Sequence, residues 1–413
     1  MIKVVRYVSS LSSLCLFAGL AFAQAPPCPG FNSSKNVNLA CEIATAARTS
    51  TSGRQTLGDL APTVAAQLSQ LPLTTAVSGS GVTFTRSGVP TTIESLGTIL
   101  TQRGETLGKH NFFFSFNYQR FRFDSIDGIS LKHLDTVNKI TFDSDPNQVF
   151  VAAQNRVDLL VNQFTAIGSF GLTNRMDVSL LVPFSKVTLK AGSIGKQINT
   201  ANNNPPFDLV PVFLAGSATG IGDVAVNVKY KVTNWEKTAI GIGGEVRFPT
   251  GDETNYLGTG AYGIKPYVIL SHTSGRITPN INLGYQWNGA SALFINSAGT
   301  HLNLPSSFLY SGGADYRVIN NKLTLTVEFL GQAVMDGPRL SPALSPAPAP
   351  LASSGNIKSF SGTYTMDNLS AGFRYRPFKG LLITGNALVA LDNGGLRSKV
   401  VPLVGISYRF GKK

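Results

Sequence analysis

Between residues 111 and 410 the chain alternates apolar and polar residues with a period of two, over stretches much longer than an ordinary strand. Val224, Val226, Val228, Tyr230 and Val232 alternate with Ala225, Asn227, Lys229 and Lys231. Leu323, Leu325, Val327 and Phe329 alternate with Lys322, Thr324, Thr326 and Glu328. The pattern returns at Ile281, Leu283, Tyr285 and Trp287, and again at Val404, Ile406, Tyr408 and Phe410. One face of each strand is apolar, and the other is small, polar or charged. A soluble β-sandwich also alternates, but its strands average about 5–6 residues, whereas crossing a bilayer obliquely takes about 9–11. No stretch after residue 24 is apolar for the roughly 18 residues that a membrane helix needs.

The segments read as strands are 111–123, 155–168, 175–189, 221–232, 237–249, 263–273, 276–288, 306–318, 322–333, 364–377, 381–391 and 400–410. The connectors after the even-numbered segments are tight, as in Thr273-Ser274-Gly275-Arg276, and those after the odd ones are long. Short turns on one side and long loops on the other predict an all-β fold, a transmembrane antiparallel barrel of twelve strands. A further pair hidden in 124–154 or 334–363 would make fourteen. The loops are polar, and loop 334–363 holds a proline tract, Ser341 to Pro350, that favours extended polyproline structure.

The first residues set the compartment. Lys3 and Arg6 precede an apolar run from Leu11 to Leu20, and Ala21-Phe22-Ala23 follows. This is the order of a cleavable secretory signal, so residues 1–23 are expected to leave the mature chain. Removing Lys3 and Arg6 from 35 basic residues leaves 33 against 22 acidic, a net +11. Only 14% of the residues are charged, against about 25% in soluble domains. Cys15 leaves with the signal. Cys28 and Cys41 remain, and in an exported chain they are expected to form a disulfide stabilising by about 3 kcal/mol. No histidine lies near them, so no metal site is expected there, and no cofactor motif occurs elsewhere.

Residues 24–110 differ in kind. Residues 39–48 and 59–71 read as short helices, 81–86 as a short strand, and 94–108 as helix or coil leading into the barrel. Two placements stand: a plug in the barrel mouth, or a periplasmic segment. The barrel then occupies 111–413.

Three motifs in the barrel carry a resemblance. Gly220-Ile221-Gly222-Asp223 opens a strand ending Lys229-Tyr230-Lys231. Arg247-Phe248-Pro249-Thr250-Gly251-Asp252-Glu253 is followed by Leu257-Gly258-Thr259-Gly260-Ala261-Tyr262-Gly263 and Pro266-Tyr267. Asn282-Leu283-Gly284-Tyr285 is the third. Together, over about 155–410, they resemble the outer-membrane family named for the meta-pathway of phenol degradation. That family is in turn similar to the channels for long-chain fatty acids and aromatic hydrocarbons. The resemblance implies passive uptake of small organic, often hydrophobic solutes, and an N-terminal plug. It supplies no binding residues. Read by themselves, the glycines are turn and strand-entry positions. Gly258-Thr259-Gly260 lacks the following helix that a phosphate cradle needs.

On the predicted register the lumen-facing charges are Asp158, Asp177, Lys229, Glu245, Arg247, Lys265, Asp315, Arg317, Glu328, Arg374, Arg376 and Arg409. Both signs occur with a basic surplus. Arg247, Lys265, Arg317, Arg374 and Arg376 are therefore the expected solute-binding residues, favouring anions. Anionic lipopolysaccharide at the outer rim is the other use for the surplus. Lipid, a small solute and the barrel-assembly machinery are the expected partners, in the outer membrane of a Gram-negative-type bacterium. Nucleic acid is not a partner, since the basic residues are spread over strands without an aromatic-interleaved patch.

Two other functions remain as alternatives: a non-transporting structural or adhesin barrel, and an outer-membrane hydrolase. A hydrolase needs a histidine positioned by a second group. Of His110, His133, His272 and His301, only His272 lies in a strand, beside Ser271 and without an acidic neighbour. No enzyme is expected.

Overall fold

The computed structural model describes residues 96–142, 145–199, 207–208, 211–233, 235, 237–295, 301–344 and 356–410, with Leu39 and the paired strands Val82–Phe84 and Pro90–Thr92. The alternation forms a closed antiparallel barrel of twelve strands. They are β1 Phe112–Phe123, β2 Asp145–Gly171, β3 Met176–Asn199, β4 Val212–Ile221 continued by Val224–Lys231, β5 Thr238–Phe248, β6 Gly263–His272, β7 Ile277–Asn288, β8 Ser307–Ile319, β9 Leu323–Ala343, β10 Asn356–Tyr375, β11 Leu381–Ala390 and β12 Val400–Phe410. Each pairs with its neighbours in sequence order. The last closes on the first, from Leu403 opposite Gln119 to Phe410 opposite Phe112. Closure pairs every strand edge, which is what allows β-structure to cross hydrocarbon.

The count is twelve rather than fourteen. Within these stretches the described residues 134–142, 145–154, 334–343 and 356–363 lengthen the wall outward: β2 starts at Asp145 and pairs there with Leu134–Phe142, and β9 and β10 stay paired from Leu323 opposite Tyr375 to Ala343 opposite Asn356. β4 also begins earlier than its alternation suggested, because Gly222 and Asp223 form a bulge opposite β3. Ile221 opposes Phe184, whereas Ala225 opposes Leu181. Above the bulge odd-numbered residues such as Phe213 face outward, and below it even-numbered ones such as Tyr230 do. The expected helices at 39–48 and 59–71, Cys28, Cys41, the leader and residues 345–355 lie outside the described residues, Leu39 apart.

The outer surface is an apolar belt of Phe114, Phe116, Ile242, Val268, Ile281, Val404 and their neighbours. Aromatic rows bound it. Near the chain ends Phe112 packs on Phe170 with ring centroids 4.5 Å apart, and Tyr408 on Phe410 at 4.4 Å. At the other rim Tyr118 packs on Phe164 at 4.8 Å, and Phe248 on Tyr262 at 6.1 Å. A closed barrel with an apolar belt between two aromatic girdles is the architecture of the Gram-negative outer membrane.

The lumen is not uniformly polar. Its periplasmic half presents Ser115, Thr165, Asp177, Lys229, Asp315 and Glu328. Its outer half is lined by Phe121, Phe123, Val157, Leu159, Val187, Leu388 and Val401, all buried in one apolar cluster. This corrects one expected lumen charge. Asp158 faces outward and pairs with Arg156 at 3.3 Å, because the apolar residues flanking it, Val157 and Leu159, point into the lumen.

Candidate functional site

A segment without regular structure, residues 96–108, runs through the periplasmic half of the lumen and is bonded to the wall at nearly every residue. The Glu328 carboxylate accepts from the backbone amides of Ile99 (3.1 Å), Leu100 (2.9 Å) and Thr101 (2.7 Å), and from the Thr101 hydroxyl (2.8 Å). Asn282 accepts from the Gln102 amide at 2.8 Å and donates to the Gln102 carbonyl at 2.9 Å. Lys229 donates to the carbonyls of Arg103 (3.1 Å) and Glu105 (2.5 Å), and Asp177 accepts from the Leu107 amide at 3.0 Å. Arg374 donates to the Leu96 carbonyl at 2.9 Å, and Arg409 to that of Leu107 at 3.1 Å. The wall charges thus satisfy backbone groups that have no strand partner inside the barrel. Within the segment, burial alone would raise the Glu105 carboxyl, but the Arg103 guanidinium at 3.1 Å overrides it and holds Glu105 below the ordinary carboxylate range.

The outer mouth is folded inward as well. Ser125–Ile126 pairs with Ile129–Ser130 and with Leu396–Arg397 in a small sheet, and Ile126 is fully buried. Asp127, in the left-handed region at φ 48°, accepts from Arg339 Nε (3.1 Å) and from the amides of Leu340 (2.8 Å) and Gly395 (3.1 Å). Arg397 is buried and pairs with Asp392 at 2.6 Å.

Between this roof and the 96–108 floor lies a cavity of about 260 Å³. Leu100, Phe121, Phe123, Leu309, Leu330, Leu388, Leu396 and Val401 give it an apolar side. Gln102, Glu245, Arg247, Lys265, Tyr267, Asn282 and Gln286 give it a polar one. Tyr267 donates to Asn227 at 2.9 Å, and Lys265 pairs with Glu245 at 2.6 Å.

The glycine-rich motifs converge beside this cavity on one carboxylate. Asp223, at the β4 bulge, accepts from the amides of Gly251 (3.1 Å) and Thr259 (2.8 Å) and from the Thr259 hydroxyl (2.6 Å). Arg247 lies 3.7 Å from Asp223 and donates to Asn288 at 2.7 Å. Thr250 ties the same corner by donating to the Gly222 carbonyl at 2.8 Å. This clasp folds loop 250–262 back over the lumen and buries Tyr256 in the apolar cluster. Gly258 has no room for a side chain, since a Cβ there would stand 2.4 Å from Asp223 Oδ1 and 2.7 Å from Gly251 Cα. The Gly258→Ala variant is therefore expected to release the loop at a cost of about 1–3 kcal/mol. Faster protease nicking within 250–262, in a barrel that still shows heat-modifiable gel mobility, would demonstrate it.

The clasp gives the first two motifs a shared structural role, and the comparison with known families falls on the same region. The family model described as "Putative MetA-pathway of phenol degradation" matches residues 141–337. The match spans just under half of the sequence and encloses all three motifs. No curated protein matches the chain. Solved structures to which it is similar include an outer-membrane channel from Pseudomonas putida F1, at 12% identity over 75% of this chain and 99% of that one, TM-score 0.44. Another is the toluene transporter TbuX of Ralstonia pickettii, at 13% identity over 74% and 90%, TM-score 0.37. The NanC porin is similar at 11% identity over 71% and 98%, TM-score 0.37.

The five cations expected to bind solute are not brought together. Arg247 and Lys265 line the cavity, the first held by the clasp and the second by Glu245. Arg374 lies against the 96–108 segment. Arg317, which donates to the Gly275 carbonyl, and Arg376, whose amide donates to the Lys322 carbonyl, sit at the periplasmic rim. Ser271 and His272 project to opposite faces of β6: the serine is buried, accepting from the Gly104 amide at 3.1 Å, and the histidine is exposed beside Thr238. They cannot act as a nucleophile and its base. Sequence reasoning missed the apolar half of the lumen and the anchoring of 96–108. The signal for the second was present: a buried Glu328 and Lys229 in a wall facing no strand must bond to something inside the barrel.

Proposed function

We propose that the protein is an outer-membrane channel for small organic solutes that combine an apolar body with one polar or anionic group. The cavity carries this reading, because it offers an apolar side and a polar side together, which suits a molecule of that kind. Association with the phenol-degradation family points the same way, since a hydroxylated or carboxylated benzene is such a molecule. In this reading residues 96–108 belong to a plug that holds the lumen shut, and residues 24–95 continue it. Arg247 and Lys265 are the two expected cations that meet the solute. Solute passes by diffusion, with no cofactor and no covalent step.

Uptake by proteoliposomes containing the refolded barrel tests this. Benzoate is expected to enter at least about tenfold faster than a sugar acid of similar size, the ratio an apolar pocket can provide. Equal rates would remove the cavity from the account. No flux of either, with the plug deleted as well as present, would favour the structural or adhesin reading.

A further inference from the structure

The outward surface of β1, β2 and β3 breaks from the rest of the belt. Tyr118, Phe164 and Phe184 stand in register across the three strands and form the aromatic row at the outer rim. One step further out, the same face carries Arg120, Asn162 and Lys186, again in register. Arg122 follows on β1, and Asp158 opposite Lys190 and then Arg156 follow on β2 and β3. Strands lie about 4.8 Å apart and same-face residues about 6.8 Å apart along a strand. Five cations thus share a patch of roughly 10 by 20 Å. Among the described residues the only ion pair there is Arg156–Asp158, at 3.3 Å with both side chains well exposed. The patch therefore carries four unneutralised cations.

Position identifies what would neutralise them. The cations begin immediately above the aromatic row, at the depth where lipid headgroups meet the acyl layer. Their side chains point away from the lumen, so no solute in transit reaches them. A bare cluster of like charge at that depth is unfavourable unless anions lie against it. Tyr118, which donates to Asn162 at 2.8 Å, fixes the polar edge beneath them.

We infer that Arg120, Arg122, Lys186 and Lys190 form a docking site for the phosphates of an outer-leaflet glycolipid, with Tyr118, Phe164 and Phe184 against its first acyl carbons. Arginine at two of the four positions suits bidentate contact with phosphate. The site is independent of the channel reading, because it uses the opposite face of the wall.

The test measures binding of diphosphorylated lipid A to the refolded full chain in detergent, beside the same lipid with its phosphates removed and beside inorganic phosphate. The phosphorylated lipid is expected to bind and the dephosphorylated lipid to bind at least about tenfold more weakly. Inorganic phosphate, lacking acyl chains, should not compete at equal concentration. The Arg120→Gln, Arg122→Gln, Lys186→Gln and Lys190→Gln variant should lose the difference, while Lys358→Gln, an exposed lysine on β10, should keep it. Equal binding of both lipids, or an undiminished preference in the fourfold variant, would overturn the assignment. Channel conductance of the fourfold variant should match that of the parent, which separates failure of this site from failure of the transport reading.

Discussion

The Glu328→Ala variant is expected to raise the conductance of the barrel. The carboxylate sits on the inner face of β9, fully buried, and gathers the amides of three successive residues of the 96–108 segment together with the Thr101 hydroxyl. Hydrogen bonds to a charged group contribute about 1.5–3 kcal/mol each, and a shared acceptor makes them less than additive. Even a net loss of about 3 kcal/mol shifts the ratio of released to docked segment by roughly two orders of magnitude. The barrel should survive, since its closure depends on strand pairing that Glu328 does not supply through its side chain. In planar bilayers the variant should show frequent long openings where the parent shows few. Glu328→Gln, which keeps the shape and one acceptor oxygen, should fall between them. Unchanged conductance in the alanine variant would mean that the segment is held by its other anchors or does not obstruct the path.

Filling the cavity should have the opposite effect. Ser311 faces the lumen on β8, opposite Asn282 and Leu330, and lines the cavity where its apolar and polar sides meet. A tryptophan there would occupy much of the roughly 260 Å³ available. Transport of benzoate is expected to fall at least about tenfold, as it would if the solute's stop in the cavity were disfavoured by about 1.4 kcal/mol or more. Gel mobility and folding yield should not change, because the added ring enters empty space rather than a packed core. Flux unaffected by Ser311→Trp would place the solute path elsewhere in the lumen.

The barrel could be read from the sequence because lipid and lumen impose opposite demands on alternate residues, and β5 to β9, β11 and β12 obey both. The reading weakened wherever that opposition relaxes. Strand extensions such as 150–154 and 334–343 are not set between lipid and lumen, so they carry no regular alternation and read as loops. At Gly222 and Asp223 the bulge reverses the phase, which hid the upper part of β4. Near Asp158 the demands are reversed, with an apolar lumen and a polar outward face above the aromatic row, so Val157 and Leu159 resemble a membrane face although they point inward. The candidate site was less legible still. The family motifs were visible, but only the fold brings Gly251, Thr259 and Arg247 to the Asp223 carboxylate. Likewise Glu328 and Lys229 were recognisable as lumen charges, whereas their partners in 96–108 lie more than a hundred residues away in the chain.

A transport path through this barrel, closed by the N-terminal segment, would be seen in planar-bilayer conductance of the refolded mature protein with and without residues 24–105. Near silence is expected from the full chain and steady conductance from the shortened one. Steady conductance from both would show an open pore and contradict the plug, and silence from both would contradict the channel itself.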